Sequence, residues 1–325
     1  MSIYQNKNSF NLHDMVGILN AMSSDTRLRI LSLLSEGDLT VSDLTMILCQ
    51  SQPRVSRHLK LLSDAHLISR HQEGAWAYFH LEEESPARDL LCLTLSQLSM
   101  KDNLLEADRR HLSEVRQKRQ QKAAAYFSAH AGEWDSLRRL YVDETRIEQA
   151  LLRLIGNAKI ETMLDIGTGT ASMIKLFAPI VNRAIGIDNN HAMLAVARAN
   201  LEQHNIAHAQ LRVGEAASLP FEARSFDLIT LHQILHFLEN PQTAIEEAAR
   251  VLRQGGRLIL VDFAPHAYEF LAEQHAHVRL GFSDAAIERW LQKSALTLDD
   301  VQNIAPPPAE QDKKLTVKIW IGRKN

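Results

Sequence analysis

The stretch Met163-Leu164-Asp165-Ile166-Gly167-Thr168-Gly169-Thr170-Ala171 decides how this chain of 325 residues is read. An apolar strand pattern ends near a carboxylate and runs into a glycine turn, and a helix pattern from Met173 to Leu176 starts directly behind it. Glycines at such a turn let the backbone approach a ligand that a Cβ would strike. The next apolar run, Ala184-Ile185-Gly186-Ile187, closes on a second acid, Asp188. That acid follows the glycines by roughly 20 residues, the separation at which a carboxylate reaches ribose hydroxyls. Strand, glycine turn, helix and second acid together predict an adenosyl ligand at the carboxyl end of a parallel strand.

The pattern repeats toward the C-terminus. A helix carries Met193, Val196 and Ala197, and Leu211-Arg212-Val213 reads as a third strand. Phe226 to Leu231 is a fourth. A helix from Pro241 to Leu252 leads through Gly255-Gly256 into a fifth, Arg257 to Asp262. Such alternation predicts an α/β fold, a mostly parallel sheet covered by helices. The end differs. Leu298 to Ile304, a Pro306-Pro307-Pro308 turn, and Leu315 to Ile321 read as a terminal antiparallel hairpin.

The N-terminal part reads otherwise. Leu12, Met15, Val16 and Leu19 recur at helical spacing. Ser24 or Asp25 suits the cap of a helix with Leu28, Leu31 and Leu34, ended by Gly37, and Thr40 the cap of a short helix with Leu44 and Ile47. Ser51 then precedes a helix with Pro53 in its first turn, where a missing N–H costs nothing. Val55, Leu59 and Leu62 form that helix's inner stripe, which leaves Ser56, Arg57 and Lys60 on the opposite face. Hydroxyl and basic groups on a short helix suit the major groove, where Arg reads guanine edges and Lys and Ser hold phosphate. Two alternating runs, Leu67 to His71 and Ala75 to Leu81, flank Gln72-Glu73-Gly74 as a hairpin that places Arg70 and His71 near a wing. The alternative for the outer helix face is plain solvation.

Between these parts, Leu91, Leu95 and Leu98 give a helix with one greasy face, suited either to a twin subunit or to its own domain. From Lys101 to Lys122, Arg109, Arg110, Arg116, Lys118, Arg119 and Lys122 outnumber the neighbouring acids, which predicts a solvated linking helix. Tyr126-Phe127, Trp134 and Leu137 predict a helix folding over the second domain. The expected division is residues 1–100, a connector over 101–145, and 146–325.

Composition sets bounds. A net charge of −3 gives no general affinity for nucleic acid, so DNA binding has to come from a local basic surface. No apolar run approaches a membrane span, and the polar segment Met1 to Asn11 lacks a signal core. Two cysteines, Cys49 and Cys92, make no disulfide framework and point to a reducing cytoplasm.

Two family resemblances follow. Asp25 to Leu31, Leu39 to Leu44 and Gln52 to Leu62 resemble the ArsR-type bacterial repressors over most of residues 10–85. The resemblance implies a winged helix-turn-helix, a homodimer and double-stranded, palindromic operator DNA. Where metal-sensing members carry Cys-Val-Cys this chain has Thr40-Val41-Ser42, and hydroxyls are poor ligands for soft metals, so no metal is expected. The second half resembles class I S-adenosylmethionine-dependent methyltransferases over nearly the whole of that Rossmann-like fold. The motifs are Leu164 to Ala171, Gly214 to Phe221, Ser225 to Leu228 and Ala249 to Leu258. Carried over by position, Asp165, Gly167 and Gly169 cradle the methionine and ribose parts of S-adenosyl-L-methionine. Asp188 holds the ribose, Glu215 accepts from the adenine amine, and Ala216 offers its backbone N–H. Ala171 replaces a usual third glycine, on the expectation that only helix packing is at stake there.

For methyl transfer to a small-molecule acceptor, the candidate bases are His232 and His236, placed on one face by helical spacing, and Asp262 at the end of the fifth strand. His266, His275 and His277 follow. The expectation is a DNA-binding regulator whose second half binds the methyl donor and methylates a small molecule. The alternative is a non-catalytic repressor that senses S-adenosylmethionine or S-adenosylhomocysteine. A further alternative is an enzyme whose first half only mediates interaction.

Overall fold

A computed structural model describes residues 10–37, 39–73, 76–82, 85–99, 101–134, 143–156, 159–306 and 315–325. The Gly74 turn, Leu137, and Pro307 and Pro308 lie outside the described residues, as do residues 1–9 and the side chain of His71. The chain divides into two compact units, Met1–Gln120 and Gln121–Asn325.

The first unit starts with α1 (Leu12–Met22) and α2 (Asp25–Leu34). β1 (Leu39–Thr40) leads into α3 (Val41–Leu48), which Thr40 caps: its hydroxyl accepts from the Asp43 N–H while Asp43 accepts from the Thr40 N–H. This reciprocal box satisfies two backbone donors that a helix start otherwise strands. α4 (Gln52–Asp64) follows, with Val55, Leu59 and Leu62 buried and Ser56, Arg57 and Lys60 exposed. β2 (Ile68–Glu73) and β3 (Trp76–Leu81) pair antiparallel, and β1 adds to β3, for the order β1-β3-β2. β1 escapes sequence reading because two residues carry no periodicity. In α5 (Arg88–Ser96), Leu91 is buried and Leu90 and Leu95 pack on the same core, whereas Leu93 faces outward.

α6 (Asn103–His130) is the expected linking helix, but its first half is not a plain solvated one. Leu105 and Leu112 are buried and Val115 packs on the head core. Between them Asp108, also buried, takes a two-pronged contact from Arg29 at 2.6 Å on each oxygen. These residues recur at helical spacing, a stripe hidden in the sequence by the many charges around it.

The second unit opens with the end of α6, a single 3-10 turn Ala131–Glu133, and α7 (Glu144–Ile155). Then β4 (Ile160–Ile166), α8 (Ser172–Phe177), β5 (Val181–Asp188), α9 (His191–Gln203), β6 (Ala209–Val213), β7 (Phe226–His232), α10 (Pro241–Val251) and β8 (Leu252–Phe263) alternate. α11 (Phe270–Gln274), α12 (Asp284–Lys293), β9 (Leu296–Ile304) and β10 (Val317–Lys324) complete it. The seven strands lie in the order β6-β5-β4-β7-β8-β10-β9. β10 runs antiparallel to both β8 and β9, and the other pairs are parallel.

Both faces of this sheet are covered, so its inner strands are nearly continuous apolar runs. Successive residues serve opposite layers. Met163 and Leu228 join one apolar cluster, while Leu164, Ile166, Ile229 and Leu231 join the other. The chain leaves β4 toward β5 on one side and returns to β7 on the other. The carboxyl ends of β4 and β7 therefore diverge into the crevice where open α/β sheets bind ligands. The mostly parallel sheet and its terminal antiparallel hairpin are as expected.

Candidate functional site

The glycine turn sits at that crevice, and its two glycines have different tasks. Gly167 has φ +67°, and a Cβ there would overlap the Ile234 side chain. Gly169 has φ +51°, and a Cβ there would meet only Trp134 Nε1, at an ordinary contact distance of 4.0 Å. Ala171 corrects an expectation. Its φ is +65°, so the position imposes a left-handed backbone as well as close packing. That conformation costs a non-glycine residue about 1–2 kcal/mol.

Asp165 is buried and braces the turn. One carboxylate oxygen accepts from the Thr168 hydroxyl at 2.7 Å and the other from the Thr230 hydroxyl at 2.6 Å. Asp188 ends β5, where one oxygen accepts from the Gly169 N–H at 2.9 Å and the other from the Asn190 N–H at 2.8 Å. Burial pushes its carboxyl above the ordinary value, opposed by those N–H donors. The Asn190 side chain caps α9 and donates to Ser128 Oγ at 3.1 Å. Glu215 is exposed with Asn189 Nδ2 at 3.4 Å, while Ala216 is buried. A glycine turn uncrowded at Gly169 beside the half-buried Asp188 carboxylate fits an adenosyl ligand: Asp188 would hold the ribose, and the backbone of the turn would hold the amino acid part.

The candidate bases occupy the same end of the sheet, but not as one helix face. His232 is the last residue of β7, and His236 lies in a 3-10 turn, Leu235–Phe237. Between them Gln233 adopts φ +53°, which ends the strand without starting a helix. His236 Nδ1 lies 2.7 Å from Asp262 Oδ1, both residues being buried. Asp262 also accepts from the Phe263 N–H at 2.8 Å. His277, Phe237 and Phe263 surround the His236 ring at centroid distances of 4.2, 4.0 and 4.8 Å. Burial lowers His266 to about 4 and His277 well below its ordinary value, and it also lowers His275.

Sequence reasoning assigned no site role to Trp134, Ser128, Asn190, Gln233 or Ile234. Phe127 and Trp134 both pack on Phe237, at 4.7 and 6.2 Å, and Trp134 also overlooks Gly169. The Tyr126 hydroxyl shares a hydrogen bond of 2.6 Å with His275 Nδ1. Asn190 had a readable signal, an Asn just before a helix pattern. Gln233 had none, because its role comes from the backbone twist at a strand end. Among the described residues no group of His, Cys, Asp and Glu is arranged to hold a metal. In the head, Arg70 and His71 lie in β2, opposite Phe79 and Tyr78.

Comparison with known proteins places families on this geometry. The family described as "Methyltransferase domain" matches residues 164–260, and "Bacterial regulatory protein, arsR family" matches residues 24–70. YcgJ of Bacillus subtilis, described as an uncharacterized methyltransferase, is 38% identical over 104 residues, 32% of this chain and 41% of YcgJ. The chain thus spans less than half the length of that relative. A phosphatidylethanolamine N-methyltransferase of Cereibacter sphaeroides is 34% identical over 140 residues, 41% of this chain and 68% of the relative. A solved chain from the Haloferax volcanii complex of the Trm112 methyltransferase activator shares the fold. It has a TM-score of 0.51 and 19% identity, covering 61% of this chain and 96% of that one.

Proposed function

We propose a function from one premise: this chain belongs to the class I methyltransferases and carries a bacterial ArsR-family regulatory domain ahead of that domain. In this reading the chain is an operator-binding regulator that holds S-adenosyl-L-methionine and transfers its methyl group to a small molecule. The observation that carries it is the meeting of Gly169 and Asp188 at the strand tips, with the His236–Asp262 pair alongside. When bound, the donor supplies an electrophilic methyl carbon. Asp188 and the turn position it, and the aromatic side chains around Phe237 exclude water, so positioning supplies much of the acceleration.

On the head, Ser56, Arg57 and Lys60 of α4 enter the major groove of double-stranded DNA, and β2 carries Arg70 and His71 toward the flanking backbone. The protein acts as a homodimer on a palindromic operator. Leu12, Val16 and Leu19 support this, since they recur along one face of α1 and are 83%, 46% and 49% exposed. No helix among the described residues is long and apolar enough to cross a membrane. We place the protein in the cytoplasm, where its operator lies.

A second reading has one observation in its favour. Ser128 of α6 and Trp134 lie against Asn190 and Gly169, so a ligand in the cradle meets the segment that carries α6. That suits a repressor sensing the donor or its demethylated product, which requires the ligand to favour one operator-binding state over another.

The test pairs two variants. Arg57→Ala should weaken operator binding about tenfold or more, the cost of losing one base contact, and leave S-adenosylhomocysteine affinity intact. Asp188→Ala should abolish cofactor binding and leave the operator affinity of the ligand-free protein unchanged. Operator binding untouched by Arg57→Ala would reject α4 as the recognition helix.

A further inference from the structure

Beside the adenosyl cradle lies a cluster of rings with polar atoms that the fold leaves unsatisfied. Gln233 is 6% exposed at the tip of β7, and its Nε2 has no hydrogen-bond partner. His266 Nε2 and His277 Nδ1 are likewise buried without a partner. A buried polar atom without a partner is costly, and three at one end of a sheet are the kind of groups a ligand would pair with. Gln233 also holds a left-handed backbone, the kind of strain that collects at functional sites.

His236 lies within this cluster. The carboxylate at 2.7 Å keeps its proton on Nδ1, which leaves Nε2 a proton acceptor. Among the described residues nothing hydrogen-bonds to that Nε2. His236 shares ring contacts with His277, and His277 stacks on Phe263 at 5.7 Å with an interplanar angle of 11°. The nearby cation, Arg279, donates from Nη2 to the Glu239 carbonyl at 3.2 Å.

We infer that this cluster is the acceptor site, that it takes an uncharged aryl hydroxyl, and that His236, oriented by Asp262, removes the hydroxyl proton. The inference rests on the methyltransferase reading above. The class of acceptor follows from the chemistry. A tertiary amine or a sulfide already offers a lone pair and has no use for a buried base. An alkyl alcohol is a far weaker acid than a phenol, so an imidazole would not hold it as the anion. A phenol ionises near pH 10, the most acidic of these hydroxyls, and its flat ring suits a neighbourhood of aromatic side chains such as Phe237 and Phe263. Imidazoles that burial keeps neutral repel no neutral ring and supply hydrogen bonds to its further oxygens.

The step balances. The aryl oxygen forms a bond to the methyl carbon as its proton passes to His236 Nε2. The carbon–sulfur bond of the donor breaks with its electron pair left on sulfur as a thioether. The resulting imidazolium faces the Asp262 carboxylate through Nδ1–H and returns its proton to water.

The test uses the full chain saturated with S-adenosylhomocysteine, which binds but transfers nothing. It is titrated with 4-nitrophenol and a nitronaphthol at a pH where both are protonated when free, and 4-nitroaniline serves as the isostere without an acidic hydroxyl. The expected result is binding of at least one phenol with appearance of the phenolate absorption band, and binding of the aniline at least tenfold weaker. His236→Gln should cut the bound phenolate fraction at least tenfold while S-adenosylhomocysteine affinity, measured by calorimetry on the same preparation, stays within twofold. Asp262→Asn should lower the phenolate fraction with S-adenosylhomocysteine affinity likewise intact. A loaded chain that binds neither phenol, binds the aniline equally well, or shows the same phenolate band after His236→Gln overturns the inference and leaves the methyltransferase reading standing. A chain that binds no S-adenosylhomocysteine removes both.

Discussion

At the scale of single residues, the second unit holds several ionisable groups partly out of water, and that has a consequence for stability. His266 is held at about 4, below its ordinary 6.5, mainly by burial. The unfolded chain therefore gains a proton near pH 6.5 that the folded chain refuses until about pH 4. The stability tied to this group is complete above about pH 6.5 and is lost as pH falls toward 4. His277 and His275, lowered by the same cause, act in the same direction. Asp188 acts oppositely, because its raised value favours the folded form at low pH. His266 alone, held at about 4, makes the unfolding temperature fall as pH drops from 6.5 to 4. His266→Asn should flatten that slope in a calorimetric scan, and an unaltered slope would show that the ring is not responsible. The places of Asp188 at a strand end and of Gly167 and Gly169 in a turn were legible, because an acid after a strand and glycines in a turn are visible as letters. Gln233 and the left-handed Ala171 were not, since backbone conformation at a strand end depends on which strands pair.

At the scale of elements, regular periodicity read correctly and its interruptions did not. The strands of the sheet, α4 and the hairpin of β2 and β3 follow the apolar spacing. His232 and His236 were misassigned to one helix face because four-residue spacing holds for any helix, while β7 in fact runs through His232 before the turn. α6 was seen as a helix, yet its buried face was hidden among charges. The element most open to test is α1. Its exposed Leu12, Val16 and Leu19 would be covered in a dimer, and each buried apolar side chain contributes about 1.5–3 kcal/mol. Val16→Glu with Leu19→Glu should convert a dimer to a monomer in light scattering while the helical circular dichroism persists. A wild-type monomer at micromolar concentration would remove the dimer from the account.

At the scale of the whole molecule, the two halves announced themselves by different periods, helical spacing first and strand-helix alternation afterwards. The contrast made two units legible before any coordinates. The boundary between them was less so, because α6 contributes residues to both units and no loop or composition shift marks residue 120. The partners proposed for each unit rest on chemistry placed on its surface: basic groups on an exposed helix in one, an acid and a glycine turn at strand ends in the other. The central claim is that the second of these holds a nucleoside sulfonium. Isothermal calorimetry of the full chain with S-adenosylmethionine and with S-adenosylhomocysteine tests it most directly. Saturable heat with one site per chain, lost in Asp188→Ala, is the predicted result. Folded wild-type protein that gives no heat of binding with either compound would contradict it.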